Sequence, residues 1–358
     1  MEHLLLQIPV IDIAVDRFAL LLIAALAGGA FGAALGALPA FIFTGFAVFL
    51  GEGVNILQGE ITSNVGAIDT GTLGTGITGT IGFGMVFGPH IAFAGGVVAT
   101  AYAGKKYPEM EPAGWDYHFG KDILYAFGTK PDILAVGAVF GAVGMLITQI
   151  AGGIGFPTDG IALSVFLTAM LARVVFDYPL VGSAAGSSIL DMSPFEREEE
   201  RAATDGGTGK VRLATEPWLP HQYKWSGVAA VGVVAGILGG FIYVETGSIF
   251  LGYAFSAMSL LFLNLGVEKI PVTHHITLLG SVGAVIAGAM GAGPVVALLA
   301  AGVFGAISGL FGEATQRIFY SHSGTHVDPP AMAITLFMLI IGVLYLLNVI
   351  PSSGYLGL

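Results

Sequence analysis

Long apolar runs, each bounded by Gly, Pro or charge, fall at 18–37, 39–55, 75–88, 90–104, 133–151, 159–178, 226–245, 247–265, 275–292, 294–312 and 331–350. A spanning helix needs about 20 such residues, with roughly 17 to 25 usual, so most of these runs predict transmembrane helices. The pattern predicts an all-α fold, a polytopic transmembrane helix bundle of about ten or eleven membrane segments.

The pair at 75–104 departs from the pattern. Its arms, broken at Gly88-Pro89-His90, are each too short to cross a hydrocarbon core of about 30 Å. Backbone freed at such a break is tolerated at membrane depth only where protein buries it or it lines a wet cavity. Short paired or re-entrant helices are expected here, and with them the pathway or site.

Composition agrees. Of 358 residues, 55% are hydrophobic and 10% charged, with mean hydropathy +0.84, against roughly 25% charged in a soluble domain. Lipid bilayer is therefore the expected partner. The net charge of -11 makes nucleic acid an unsuitable one. An acidic excess confined to loops suits a high-salt surrounding as well as it suits ordinary loop solubility. With no cysteine, thiolate chemistry and Cys-based metal sites are excluded. MEHLLLQIPVIDIAVDRF has no basic n-region or cleavage site and reads as a retained N-terminus.

Lys105, Lys106, Lys121 and Lys130 follow the fourth run; Arg197, Arg201, Lys210, Arg212 and Lys224 follow the sixth. Counted along the runs, both groups share a side with the N-terminus, and the positive-inside rule places that side in the cytoplasm of a cell-membrane protein. The polar stretch 191–222 reads as a partly disordered cytoplasmic linker within 179–224, dividing a first membrane unit (1–178) from a second (225–358).

An internal duplication is expected. Gly88–Gly104 aligns without gaps on Gly293–Gly309, each opening with Gly-Pro, so that His90 pairs with Val295. Five runs per half plus one extra crossing at 159–178 predict parallel halves, an arrangement of transporters with the site at the repeat interface. Small residues at close spacing, as in Gly28-Gly29-x-x-Gly32-x-x-x-Gly36, predict tight helix packing.

Three constellations could carry chemistry. His322, His326 and Asp328 could ligate a divalent metal, although Asp328 before Pro329 also reads as a helix cap. His274 and His275 open the ninth run and could join them in a four-histidine cluster with Asp328. His90 sits at the Gly-Pro break, where an intramembrane imidazole is costly and so a functional candidate. Arg173 and Asp177, four apart, predict a local ion pair.

No carboxylate lies mid-run, which disfavours strong ion coupling. The expected function is a membrane transporter or channel for a small polar solute or ion, assembled as a homo-oligomer. The pathway residues are Gly88, Pro89, His90, Thr78, Thr80, His274, His275, Thr277, Gly293 and Pro294. No cofactor is required and the chain is not expected to be an enzyme. The alternative is an intramembrane metal-dependent enzyme or metal-handling protein using a cytoplasmic-face cluster of His274, His275, His322, His326 and Asp328, with His322, His326 and Asp328 as the metal ligands.

Overall fold

The computed structural model describes residues 7–65, 76–203 and 210–358. The helices are α1 (Val15–Leu35), α2 (Ala37–Val65), α3 (Ala94–Lys106), α4 (Pro131–Gly153), α5 (Gly160–Val175), the one-turn α6 (Ser193–Glu196), α7 (Trp225–Thr246), α8 (Leu251–Asn264), α9 (His274–Ala289), α10 (Pro294–Thr315) and α11 (Pro329–Leu346). π-Helical turns at Ile77–Gly82 and Pro89–Phe93 precede α3, and another at Gln316–Tyr320 extends α10. Two antiparallel hairpins pair Gln7–Ile8 with Ile13–Ala14 and Glu200–Ala202 with Val211–Leu213.

Among the described residues six helices are long and apolar enough to cross a membrane, and α5, α8 and α9 are shorter apolar helices. Their outer faces present bare hydrocarbon: Ile23 is 68% exposed, Val234 59% and Leu299 62%. Water would penalise such surfaces and acyl chains accept them, so the bundle is compatible with a multi-pass membrane protein.

Glycine faces inward. Gly29, Gly137 and Gly141 bring α1 and α4 to backbone contact, with Gly95 of α3 against Gly29. Gly232, Gly236 and Gly305 do the same for α7 and α10, with Gly280 of α9 against Gly236. A Cβ at any of these points would fall on a partner's backbone, so van der Waals contact between small residues holds the helices together.

The segment 77–106 differs from expectation. Its arms do not fold back on each other but run the same way along α2. Thr78 Oγ1 donates to Glu52 Oε1 at 2.9 Å, the Phe87 carbonyl accepts from Thr44, Phe93 packs on Phe41 at 5.7 Å, and Gly96 abuts Ala37. Rising numbers on one leg meet falling numbers on the other. The segment is one interrupted leg antiparallel to α2, so the eleven runs are one too many.

That change of parity moves the N-terminus. Val10 packs on Gly153, whereas the opposite end of α1 takes hydrogen bonds from the 120s loop, Phe127 N–H to the Ala33 carbonyl at 3.2 Å. Of the 13 Lys and Arg residues, Arg17 lies at the N-terminal end of the bundle and the other 12 at the opposite end. We call that opposite end the basic face. The N-terminus therefore does not share a face with the basic loops.

The stretch 191–222 is not a free linker where it is described. Thr215 and Glu216 are buried, and the Glu216 N–H donates to the Ser321 carbonyl at 3.0 Å. Positions 204–209 within it, and residues 1–6 of the N-terminus read as retained, lie outside the described residues. Arg173 also departs from expectation. Its fully buried guanidinium turns away from Asp177 to the Thr325 hydroxyl at 2.8 Å and the Thr325 and Leu180 carbonyls at 2.9 and 2.5 Å.

Candidate functional site

Two helices begin inside the bundle. α4 continues to Gly153, but the chain then turns back inward, and α5 starts level with Thr148, whose hydroxyl donates to the Gly160 carbonyl at 3.2 Å. Thr158, just before it, reaches the Thr335 carbonyl in the body of α11 at 2.7 Å. At the basic face α10 and its π turn end at Tyr320, and 321–328 folds back so that Pro329 opens α11 beside Gly312.

Each recessed start carries an aspartate cap. Asp159 Oδ1 accepts the Ala162 N–H and Asp328 Oδ2 accepts the Ala331 N–H, both at 2.8 Å. A cap carboxylate satisfies orphan amides and opposes the positive end of the helix dipole. The second oxygen of Asp159 accepts the Tyr355 hydroxyl at 2.8 Å, and that of Asp328 lies 3.3 Å from His326 Nε2.

Between the two starts lies a cavity of about 740 Å³. Phe41, Phe83, Phe93, Tyr253, His274, His326 and both aspartates line its middle. It extends to Trp115, Tyr117, Lys121 and Trp218 at the basic face and to Gly152, Phe156, Tyr355 and Leu358 at the other. Tyr253 stands within electrostatic reach of both carboxylates. The His274 ring packs 4.7 Å from Phe41 and 5.7 Å from Tyr253, and its Nδ1 has no hydrogen-bond partner; the same holds for His326 Nδ1.

A buried charge cluster stands at the basic face. Glu216 accepts the His118 backbone N–H at 3.2 Å, faces His118 Nδ1 at 2.8 Å and pairs with Lys121 Nζ at 2.6 Å. Burial pushes the Lys121 ammonium down to about 8 even though Glu216 partly restores it. Burial alone would raise the Glu216 carboxyl, but Lys121 and His118 outweigh it and hold it below the usual range. Asp122 is pushed up to about 6 by burial, against the backbone N–H groups of Leu124 and Tyr125.

The expected site residues scatter. Pro89, His274, His326 and Asp328 line the cavity. His90 is buried, its carbonyl against Gly144 and its ring against Gly88. His275 lies behind His274, its carbonyl accepting from Ser308 at 3.0 Å. Thr277 donates to the His274 carbonyl, Thr78 donates to Glu52, and Thr80 is exposed. Gly293 and Pro294 are exposed at the turn before α10, far from Gly88 and Pro89.

The metal constellation does not assemble. His322 Nε2 bonds the Ile189 carbonyl at 3.0 Å, and among the described residues no three His, Asp or Glu side chains gather closely enough to hold a metal ion. Asp159, Tyr253 and Glu216 were missed. Asp159-Gly160 and Asp328-Pro329 stand at the same place before an apolar run, a signal the sequence does contain.

The chain belongs to a family of unknown function, DUF7973, whose model matches residues 10–358. No curated protein and no solved structure matches it.

Proposed function

We propose that this protein is a membrane transporter for a small polar solute or ion, built from two inverted halves of five crossings with the solute path through the central cavity. The observation that carries the reading is that the cavity, bounded by recessed helix starts from opposite faces, has lining residues at both ends of the bundle.

Paired contacts support the two halves. α1, α2, the 77–106 leg, α4 and α5 correspond to α7, α8, α9, α10 and α11. Gly29 meets Gly141 as Gly236 meets Gly305, and Gly32 meets Ala92 as Gly239 meets Thr277. The His90 carbonyl lies against Gly144 as the His275 carbonyl lies against Ser308, and Asp159 caps as Asp328 does. In this register His90, Ile91, Gly95, Val97 and Ala99 match His275, Ile276, Gly280, Val282 and Ala284. Val139-Phe140-Gly141-Ala142 matches Val303-Phe304-Gly305-Ala306. The partner of His90 is thus His275, not Val295.

Since α1 and α7 start from opposite faces, the halves run inverted rather than parallel, a design in which rocking one half against the other alternates access to a fixed site. With 12 of 13 basic residues at one face, the positive-inside rule puts that face in the cytoplasm of a cell-membrane protein and the N-terminus outside.

The test is uptake of a panel of neutral, anionic and cationic small solutes into proteoliposomes. At least one class should enter faster than into protein-free vesicles, and Leu278→Trp, which fills the cavity wall, should abolish the difference while the protein still melts cooperatively. If no panel member crosses faster than in empty vesicles, the reading fails.

A further inference from the structure

We infer that the ligand of the central cavity is an organic cation of the alkylammonium type, held between Asp159 and Asp328 inside a box of aromatic rings. The inference deepens the transport reading and rests on it for the path, but the binding it asserts is measured separately.

Charge leads the argument. The charged residues of the wall are Asp116, Lys121, Asp159 and Asp328. Lys121 is already engaged by Glu216 at 2.6 Å, and Asp116 lies at the mouth, among the residues of the basic face. The middle of the cavity therefore holds two carboxylates with no lysine or arginine beside them, Asp328 facing the His326 imidazole at 3.3 Å. Each stands at a helix start worth about half a positive charge, which leaves roughly half a negative charge per cap. A carboxylate withdrawn from water is costly unless it is hydrogen-bonded and paired with a cation. Hydrogen bonding is present at both, Asp159 from Ala162 and Tyr355 and Asp328 from Ala331, with His326 alongside. Pairing is not.

The wall supplies the remaining recognition. Phe41, Phe83, Phe93 and Tyr253 surround the same space, with Phe41 and Phe93 at 5.7 Å and Phe83 and Tyr253 at 5.6 Å. Aromatic faces attract a desolvated ammonium through the ring quadrupole, and an aromatic cage suits a substituted ammonium better than a strongly hydrated metal ion. His274 and His326 also line the wall, 6% and 1% exposed, and the Nδ1 of each is buried without a partner in the protein. A cavity of about 740 Å³ also exceeds what a bare ion needs and falls within the roughly 300–1,000 Å³ of small-molecule sites.

The experiment measures radiolabelled choline on the purified full chain in nanodiscs at constant ionic strength, with tetramethylammonium chloride, 3,3-dimethylbutan-1-ol, sodium chloride and potassium chloride as competitors. Choline should bind saturably and be displaced by tetramethylammonium but not by the uncharged isostere. Asp159→Asn and Asp328→Asn should each weaken binding at least tenfold. Asparagine caps a helix as well as aspartate does, so both variants should fold, and their melting curves check this. Equal displacement by dimethylbutanol, displacement by sodium or potassium at the same concentration as tetramethylammonium, or no choline binding overturns the assignment. Choline binding with no uptake of choline or of any panel solute into proteoliposomes would leave this seat standing and remove the transport reading. Uptake of uncharged solutes without choline binding would do the reverse.

Discussion

Replacing Glu216 with glutamine tests the buried ion pair at the basic face. The Lys121 and Glu216 side chains are 0% and 1% exposed and their charged atoms 2.6 Å apart. At an effective dielectric near 20 the gross attraction is about 6 kcal/mol, while removing each ion from water costs several kcal/mol, so the intact pair contributes little net. Removing one partner is another matter. It leaves a buried ammonium uncompensated, and such changes cost about 3–5 kcal/mol. Glutamine retains an oxygen for the His118 N–H, so the loss reports the charge. The cost should also depend on pH. Lys121 already sits at about 8, and without Glu216 it falls further, so at pH 9 the lysine escapes by losing its proton. At pH 6 it escapes less completely, and the destabilisation should be larger there. The double variant Glu216→Gln with Lys121→Met should recover most of the loss. Thermal unfolding in detergent, followed by tryptophan fluorescence at both pH values, is the assay. A loss below about 1 kcal/mol, or a double variant no better than the single, refutes the reasoning.

Asp122 has its folded pKa raised to about 6 by burial, so the native state binds the extra proton and this group's contribution to stability is lost as pH rises through 4–6. Asp122→Asn should therefore raise the melting temperature at pH 8 and leave it unchanged below pH 4; a gain at both would contradict this. Gly141→Leu drives a side chain into the Ala25 carbonyl and Gly29, where a Cβ alone would stand 2.6 and 2.7 Å away, and overpacking of this kind costs about 1–3 kcal/mol or more. Gly152→Ala, with nothing within 4 Å, is the neutral control in the same melting assay. The chain has no native cysteine, so Met290→Cys and Lys130→Cys report orientation directly. An impermeant maleimide added to intact cells should label Met290→Cys and spare Lys130→Cys, and the opposite pattern reverses the proposed topology.

The bundle itself was legible because lipid is a severe solvent. Runs such as 226–245 and 294–312 leave helices little choice, and they appear as α7 and α10. Contact between helices was legible too, since Gly29 and Gly236 mark close approach by having no side chain to prevent it. Direction was not legible. Whether 77–106 returns or continues is decided by contacts such as Thr78 with Glu52 and Phe93 with Phe41, between residues distant in sequence. One wrong turn there inverted the parity of every later crossing. The shared Gly-Pro is buried at 88–89 and exposed at 293–294. Proline is accepted at any helix start, whether that start lies inside the bundle or at its exposed rim, so the dipeptide reports the local backbone and not the position.

The carboxylates of the cavity were hidden by the assumption that residues between apolar runs lie in water. α5, α8, α9 and α11 have 16, 14, 16 and 18 residues. At 1.5 Å per residue α5, α8 and α9 reach about 21–24 Å, short of a hydrocarbon core of about 30 Å, and α11, at about 27 Å, is the shortest of the six helices long enough to cross. When a short helix and a long antiparallel neighbour such as α4 or α10 share one face, the connection joining their other ends must descend into the bundle. Backbone at that depth survives only if it is buried in protein or lines a wet cavity. Both conditions hold here: Thr158 and Asp328 spend their polar groups on α11, and the remainder of the descent borders the cavity. Short helices, inward loops and acidic caps are thus one arrangement seen from three sides. A carboxylate placed by sequence at a loop reaches the protein interior because the helix that follows it is too short to start at the surface.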